Sequence, residues 1–247
     1  MNHLAAIAGR ELRTMFWTPT AYAVLTVYSV LGGLLFFLGL RNFFEGLQYI
    51  QAQGAMRYLE MYNLNQAVIT PWLAAFGFIL VMVVPVLTMR TFAEERAQGT
   101  IELLLTSPVS ATELVLGKYL AIVSVLLILM AITALYPGLL FLYGDPEVWQ
   151  TIAGLITLFL YAAALSAIGC FVSSITRSQI LAALVTISIA LFLVLIDSVS
   201  VLGASGGLLD VARYLSSETH FQNGIEGKVY AEDLVYFGSI IVLFLFL

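Results

Sequence analysis

"YLAIVSVLLILMAITALYPGLLFLY", residues 119–143, contains no charged side chain. At about 1.5 Å per residue a helix of this length outreaches the roughly 30 Å hydrocarbon core of a bilayer, and in water it would have no polar face to expose. Uncharged runs recur on both sides of it, at Ala21–Leu40, Ile69–Met89, Val148–Thr176 and Ser178–Ile196. Each reaches the roughly 18 to 20 residues needed to span. A last run, Leu234–Leu247, has 14 residues, or about 21 Å of helix, so it reads as a short or truncated span. Across the 247 residues, 61% are apolar and 10% charged, against about 25% charged in ordinary soluble domains. The fold class that follows is an all-α polytopic membrane protein of six transmembrane helices in one domain, residues 1–247. Its spans are expected at about 20–40, 69–89, 119–143, 149–173, 178–197 and 234–247.

The same composition excludes several function classes. A net charge of -5 with no basic stripe offers nothing to neutralise phosphates, so nucleic acid is not a partner. Cys170 is the only cysteine, which rules out a disulfide framework and a thiolate metal site. A phosphate-cradling loop needs Gly-Lys followed by Ser or Thr, whereas Gly117-Lys118 precedes Tyr119 and Gly227-Lys228 precedes Val229. His3 and His220 have no ligand spacing and read as surface or interface residues, and no nucleophile and base can be paired. The chain reads as non-catalytic, binding no cofactor itself. An ion-coupled carrier would keep charges at mid-membrane, and these spans hold none.

The basic residues suggest an orientation. With the N-terminus inside, Arg10, Arg13, Arg90, Arg96, Lys118 and Arg177 are cytoplasmic, while Arg41, Arg57, Arg213 and Lys228 fall in the outer loops. Residues 2–16 put Leu4, Ala8, Leu12 and Met15 on one side of a helix with Arg10 and Arg13 opposite, the pattern of a helix in the membrane interface, with Ile7 and Glu11 spoiling it slightly. Such a helix serves equally as a snorkelling anchor or as a surface for a partner. The first outer loop, residues 41–70, is rich in Phe, Tyr, Leu and Met and is expected to form short interfacial helices. In the second outer loop, Leu208–Ser216 has amphipathic spacing.

Residues 90–118 form the only long inner connection, and its middle reads "EERAQGTIELLLTSPVSATELVLGK", residues 94–118. Thr100 is a candidate N-cap for a short helix that Pro108 stops, and "SATE", Ser110–Glu113, matches a capping box for the helix that follows. A short helix showing Leu103, Leu104 and Leu105 beside Glu94, Glu95, Arg96 and Glu102 either fills a groove on another protein or folds back onto the bilayer surface. Pro85 removes a backbone donor from the second span just before this connection and is a candidate hinge. Within the spans, Thr26, Tyr28, Ser29, Thr133, Tyr136, Thr186 and Ser188 read first as groups that hydrogen-bond within or between helices, the alternative being a path for a substrate with apolar surface. Ala162, Ser166 and Cys170 form a small-residue stripe that lets another helix come close.

"AEERAQGTIELLLTSPVSATELVLGKYL" resembles the segment after the second span in permease subunits of ABC-2-type transporters. "RYLSSETHFQNGIEGKVYAEDLVYF" is similar to that family's final outer loop, and "RELRTMFWTPTAYAV" to its N-terminal helix and first span. The gliding-motility type of permease is the nearest subgroup. Glu218 stands where the family often has proline, and no cytoplasmic tail follows the last span. The resemblance implies an ABC-2, type V exporter-like fold in a bacterial cytoplasmic membrane. It also implies an ABC ATPase partner that carries ATP and Mg, a second permease copy or paralogue, and room for an extracytoplasmic auxiliary protein. The coupling helix would then be the Gly99–Pro108 region, bounded by Thr100, Thr106 and Pro108. Glu94, Glu95, Arg96 and Glu102 would make ionic contacts with the ATPase, Leu103 and Leu104 would fill its cleft, and the helix bearing Arg10 and Arg13 would lie against it. The activity implied is export of a substrate, or else transmission of ATP-driven motion to an extracytoplasmic partner without moving a solute.

Overall fold

The computed structural model of the chain describes residues 3–54, 62–100, 110–196 and 207–247, and these are all-helical. Helix α1, His3–Trp17, ends where Thr18 turns extended and Pro19 starts α2, Pro19–Ala52. A π-helical turn, Asn65–Ile69, runs directly into α3, Thr70–Thr88, and a short α4 covers Ala93–Gln98. The long helices α5, Ala111–Tyr143, and α6, Val148–Ile175, are joined by a tight turn. Then come α7, Gln179–Leu195, two nine-residue helices α8, Gly207–Leu215, and α9, Ser217–Ile225, and finally α10, Ala231–Phe246.

Local chemistry sets these boundaries. Ser110 and Glu113 form the capping box read from "SATE": Glu113 N donates to Ser110 Oγ at 3.2 Å and Ser110 N donates to Glu113 Oε2 at 3.0 Å. The amphipathic spacing of Leu208–Ser216 corresponds to α8. The first outer loop departs from expectation. Helix α2 does not stop near Leu40 but continues to Ala52, and Arg41 Nε pairs with Glu45 Oε1 at 2.7 Å one turn on, so charge enters without breaking the helix. It ends at Gly54, whose φ of +66° lies in the left-handed region.

Among the described residues, four helical stretches are long and apolar enough to cross a membrane: Pro19–Ala52, Asn65–Gln98, Ala111–Tyr143 and Val148–Ile175. The expected six spans are not all matched. Helix α7 is apolar but has 17 residues, and α10 has 16, so both fall below that length. Helix α6 is the centre of the bundle, contacted by α3, α5, α7, α9 and α10. Its small residues permit this: Ala162, Ser166 and Cys170 are buried, and a Cβ on Gly169 would come within 2.1 Å of Thr88 Oγ1 on α3. Helix α2 packs on α1, α3 and α5 and leaves Val30, Leu34 and Phe37 more than half exposed, a face suited to lipid or to another protein.

The hydroxyls inside the spans hold the helices to one another or to themselves. Tyr28 and Thr133 are 2.7 Å apart across α2 and α5, Tyr136 donates to Ser29 O at 2.7 Å, and Trp72 Nε1 donates to Gly32 O at 3.0 Å. Thr186 and Ser188 bond back to Ala182 O and Leu184 O within α7. At the far end of the bundle, Asn65 clamps the α5–α6 turn, accepting from Glu147 N at 2.7 Å and donating to Glu147 O at 3.1 Å.

Candidate functional site

One end of the bundle gathers α1, the end of α3, α4, the start of α5 and the end of α6 around the buried side chain of Lys118. Lys118, on the second turn of α5, is 2% exposed. Its Nζ donates to Thr91 O at 2.7 Å, to Glu95 Oε1 at 2.8 Å and to Glu11 Oε1 at 3.4 Å, and it lies 5.2 Å from the centre of the Phe92 ring. An ammonium has three N–H donors, and here each has an acceptor. Without them, burying that charge would cost several kcal/mol. The three acceptors belong to α1, to the turn after α3 and to α4, so one side chain on α5 ties three separate segments to it.

Glycine makes the approach possible. A Cβ on Gly117 would sit 2.7 Å from Ile7 Cγ2 and 2.9 Å from Ile7 Cβ, so α1 lies directly on the backbone of α5. The Gly-Lys pair thus works as two halves of one joint, contact from Gly117 and charge from Lys118. Ile7 and Glu11, which interrupt the apolar stripe of α1, are on its half-buried face because that face meets α5; Arg10 and Arg13 are exposed opposite. The apolar side of α1 is thus half-buried where it packs on α5.

A second tie comes from α6. Ser173 Oγ, fully buried, accepts from Phe92 N and Ala93 N, both at 3.0 Å, and donates to Met89 O at 3.1 Å. The turn between α3 and α4 is therefore pinned at its backbone. Helix α4 then closes by local geometry: Gly99 N donates to Arg96 O, Thr100 N donates to Glu95 O at 3.0 Å, and Gly99 takes φ +71°. That is a Schellman termination, which demands a left-handed residue and hence glycine. Thr100 Oγ1 also donates back to Glu95 O at 3.3 Å, so this residue finishes the helix before it as well as leading into the next segment.

The residues singled out from sequence divide into three groups. Glu95 is turned inward, its Oε1 2.8 Å from Lys118 Nζ. Glu94 is half-buried and lines a cleft with Arg90, while Arg96 and Gly99 are exposed and Thr100 is half-buried. Glu102, Leu103, Leu104, Thr106 and Pro108 lie outside the described residues. Pro85 is buried inside α3 and its carbonyl accepts from Met89 N at 2.9 Å where that helix ends. Sequence reading passed over Lys118, Glu11 and Ser173. The signals were a lysine placed one residue inside an apolar run and a glutamate on the apolar face of α1.

His220 also departs from a surface reading. It is buried on α9, with Nδ1 against Asp233 Oδ1 at 2.5 Å, Nε2 donating to Tyr214 O at 3.1 Å and its ring stacked 4.1 Å from Tyr236. Since a carbonyl cannot donate, Nε2 carries the hydrogen of the Tyr214 contact, and Nδ1 faces the carboxylate of Asp233. This pair joins α8, α9 and α10 at the end of the bundle away from Lys118.

The family model described as ABC-2 family transporter protein matches residues 5–233. No curated protein matches the chain.

Proposed function

Because the chain belongs to the ABC-2 family of transporter proteins, we propose that it is the permease subunit through which a separate ATPase, carrying ATP and Mg, drives export across a bacterial cytoplasmic membrane. Its N-terminus and the connection from Gly99 to Ser110 face the cytoplasm, and that connection seats on the ATPase. The observation that carries this reading is the joint at Lys118. Because the ammonium binds α1, the turn after α3 and α4 together on α5, and Ser173 binds the same turn to α6, a push delivered at Gly99 has no slack segment to absorb it. It passes as one displacement into α3, α5 and α6, which together make up much of the membrane-crossing bundle. In this arrangement the exposed Arg96 and the segment with Glu102, Leu103 and Leu104 make the contacts with the ATPase, whereas Glu95 sets their position from within. The permease works as a pair with a second copy or a paralogue, and α7 and α10 complete a six-span domain. Within the family, the gliding-motility type of permease is the subgroup this reading assigns it to.

Two substitutions test the assignment. Gly99→Pro is incompatible with φ +71°, because proline is fixed near φ of about -65° and has no N–H for Arg96 O. Glu102→Lys reverses a charge in the expected seat. Each is expected to leave the protein in the membrane and to lower ATPase co-purification or transport-coupled ATP turnover by at least about tenfold, the worth of one lost charge-assisted contact. Unchanged pull-down and unchanged turnover in both variants would remove the basis for placing the ATPase there.

A further inference from the structure

Beside the Lys118 joint, and not used by it, α1, the start of α2 and the end of α3 enclose a cleft of about 130 Å³. Its wall toward the bundle is apolar, formed by Met15, Ala21, Val24, Val86 and Leu87, and its mouth carries Arg90, Glu94 and a set of threonines. The charges are what single it out. Arg90 Nε is buried with no hydrogen-bond partner among the described residues, and Arg90 makes no ion pair there. A guanidinium offers five donors and cannot shed its charge, so a half-buried one whose Nε has no acceptor is suited to take up an anion. Glu11, also in the lining, is already held by Lys118 and Arg10, whereas Glu94 has no such partner among the described residues.

The N-terminus of α2 points the same way. Thr18 stands at its N-cap but spends its hydroxyl on Met15 O at 2.8 Å and on Thr20 at 2.9 Å, so the first-turn N–H groups have no side-chain cap. Thr20 and Ala21, in that turn, line the cleft. An uncapped helix start next to an unpaired guanidinium favours a phosphate. An unpaired carboxylate at the same mouth disfavours a simple anion and favours a headgroup that also carries a positive end. The apolar wall, with Met15, Val24, Val86 and Leu87, suits the start of an acyl chain.

We propose that this cleft binds the headgroup of a zwitterionic phospholipid with a primary ammonium, its phosphate held by Arg90 and the start of α2 and its ammonium by Glu94. A trimethylated ammonium lacks the N–H donors that a carboxylate accepts, and an anionic headgroup meets Glu94 with the wrong sign. The site therefore distinguishes phosphatidylethanolamine from both phosphatidylcholine and phosphatidylglycerol.

Native mass spectrometry of the full chain, delipidated in mild detergent and offered equal amounts of the three lipids with identical acyl chains, reads this directly. Phosphatidylethanolamine should be retained about tenfold over the other two, the ratio that one charge-assisted contact supplies. Arg90→Gln should lower retention of all three, and Glu94→Gln should bring ethanolamine and choline lipids to equal retention without abolishing either. Millimolar inorganic phosphate should not displace the lipid. Equal retention of ethanolamine and choline lipids by the unmodified protein, preference for the glycerol lipid, or displacement by phosphate alone would each overturn the proposal. If Arg90→Gln does not fold, the Glu94→Gln comparison decides by itself, because loss of packing does not exchange one headgroup preference for another.

Discussion

Lys118 shows why the two ways of breaking one ion cluster are not equivalent. Glu11→Gln together with Glu95→Gln leaves an ammonium that is 2% exposed with no anion, which costs about 3–5 kcal/mol. Lys118→Met removes the cation and leaves two carboxylates whose side chains are 16% and 20% exposed and can take up water, so the loss should be smaller, about 1–2 kcal/mol. Thermal melting of the solubilised protein should rank the double glutamine variant below the methionine variant; the reverse order would mean that Lys118 is not the buried partner. The His220 pair follows similar reasoning. Asp233→Ala strands Nδ1 and costs about 1–3 kcal/mol, whereas Asp233→Asn can donate to Nδ1 and should recover most of it. Neither cluster could be assembled from sequence, since Glu11 and Lys118 are 107 positions apart and only the helix packing brings them together. Gly117-Lys118 could be excluded as a phosphate loop from its neighbours, but what it does instead depends on Ile7 and Glu11.

At the scale of elements, what local chemistry dictates was readable and what packing dictates was not. The capping box at Ser110 and Glu113 lies within four residues, and the structure forms it. The amphipathic spacing at Leu208–Ser216 and the uncharged runs of the long helices are equally local. The length of α2 was misjudged because Arg41 and Glu45 look like the end of a span, although their i,i+4 pairing costs a helix nothing. The Schellman turn at Gly99 belongs to α4, a helix of six residues with too few apolar positions to declare itself, and its role depends on the Ser173 anchor. The dependence of α1 on α5 can be measured. Gly117→Val would drive a branched side chain into Ile7, whose Cγ2 is already 2.7 Å from an added Cβ. Helix α1 should then lift from α5 and become cleavable by protease at Arg10 and Arg13, while α3 to α6 remain protected. Unaltered protection of α1 would show that the joint tolerates the added volume.

Over the whole molecule, the proposed coupling rests on how rigidly the turn between α3 and α4 is held, and Ser173 isolates that property. Its hydroxyl is buried in α6, far in sequence from the turn, and among the described residues it alone satisfies the backbone donors Phe92 N and Ala93 N. Ser173→Val preserves volume approximately but leaves Phe92 N and Ala93 N without an acceptor, at a cost of about 1–3 kcal/mol. That is too little to unfold a domain centred on α6, yet enough to let the turn leave its seat for part of the time. The ATPase should therefore still co-purify, because Gly99, Arg96 and the residues beyond them are unaltered. What should fall is the effect of one subunit on the other: ATP turnover becomes insensitive to the permease, and transport per ATP drops severalfold. Ser173→Thr, which restores a hydroxyl at the same place, should recover both. If the valine variant transports normally with its ATPase bound, the turn is not the element that carries the stroke, and the connection must reach the bundle through Lys118 alone.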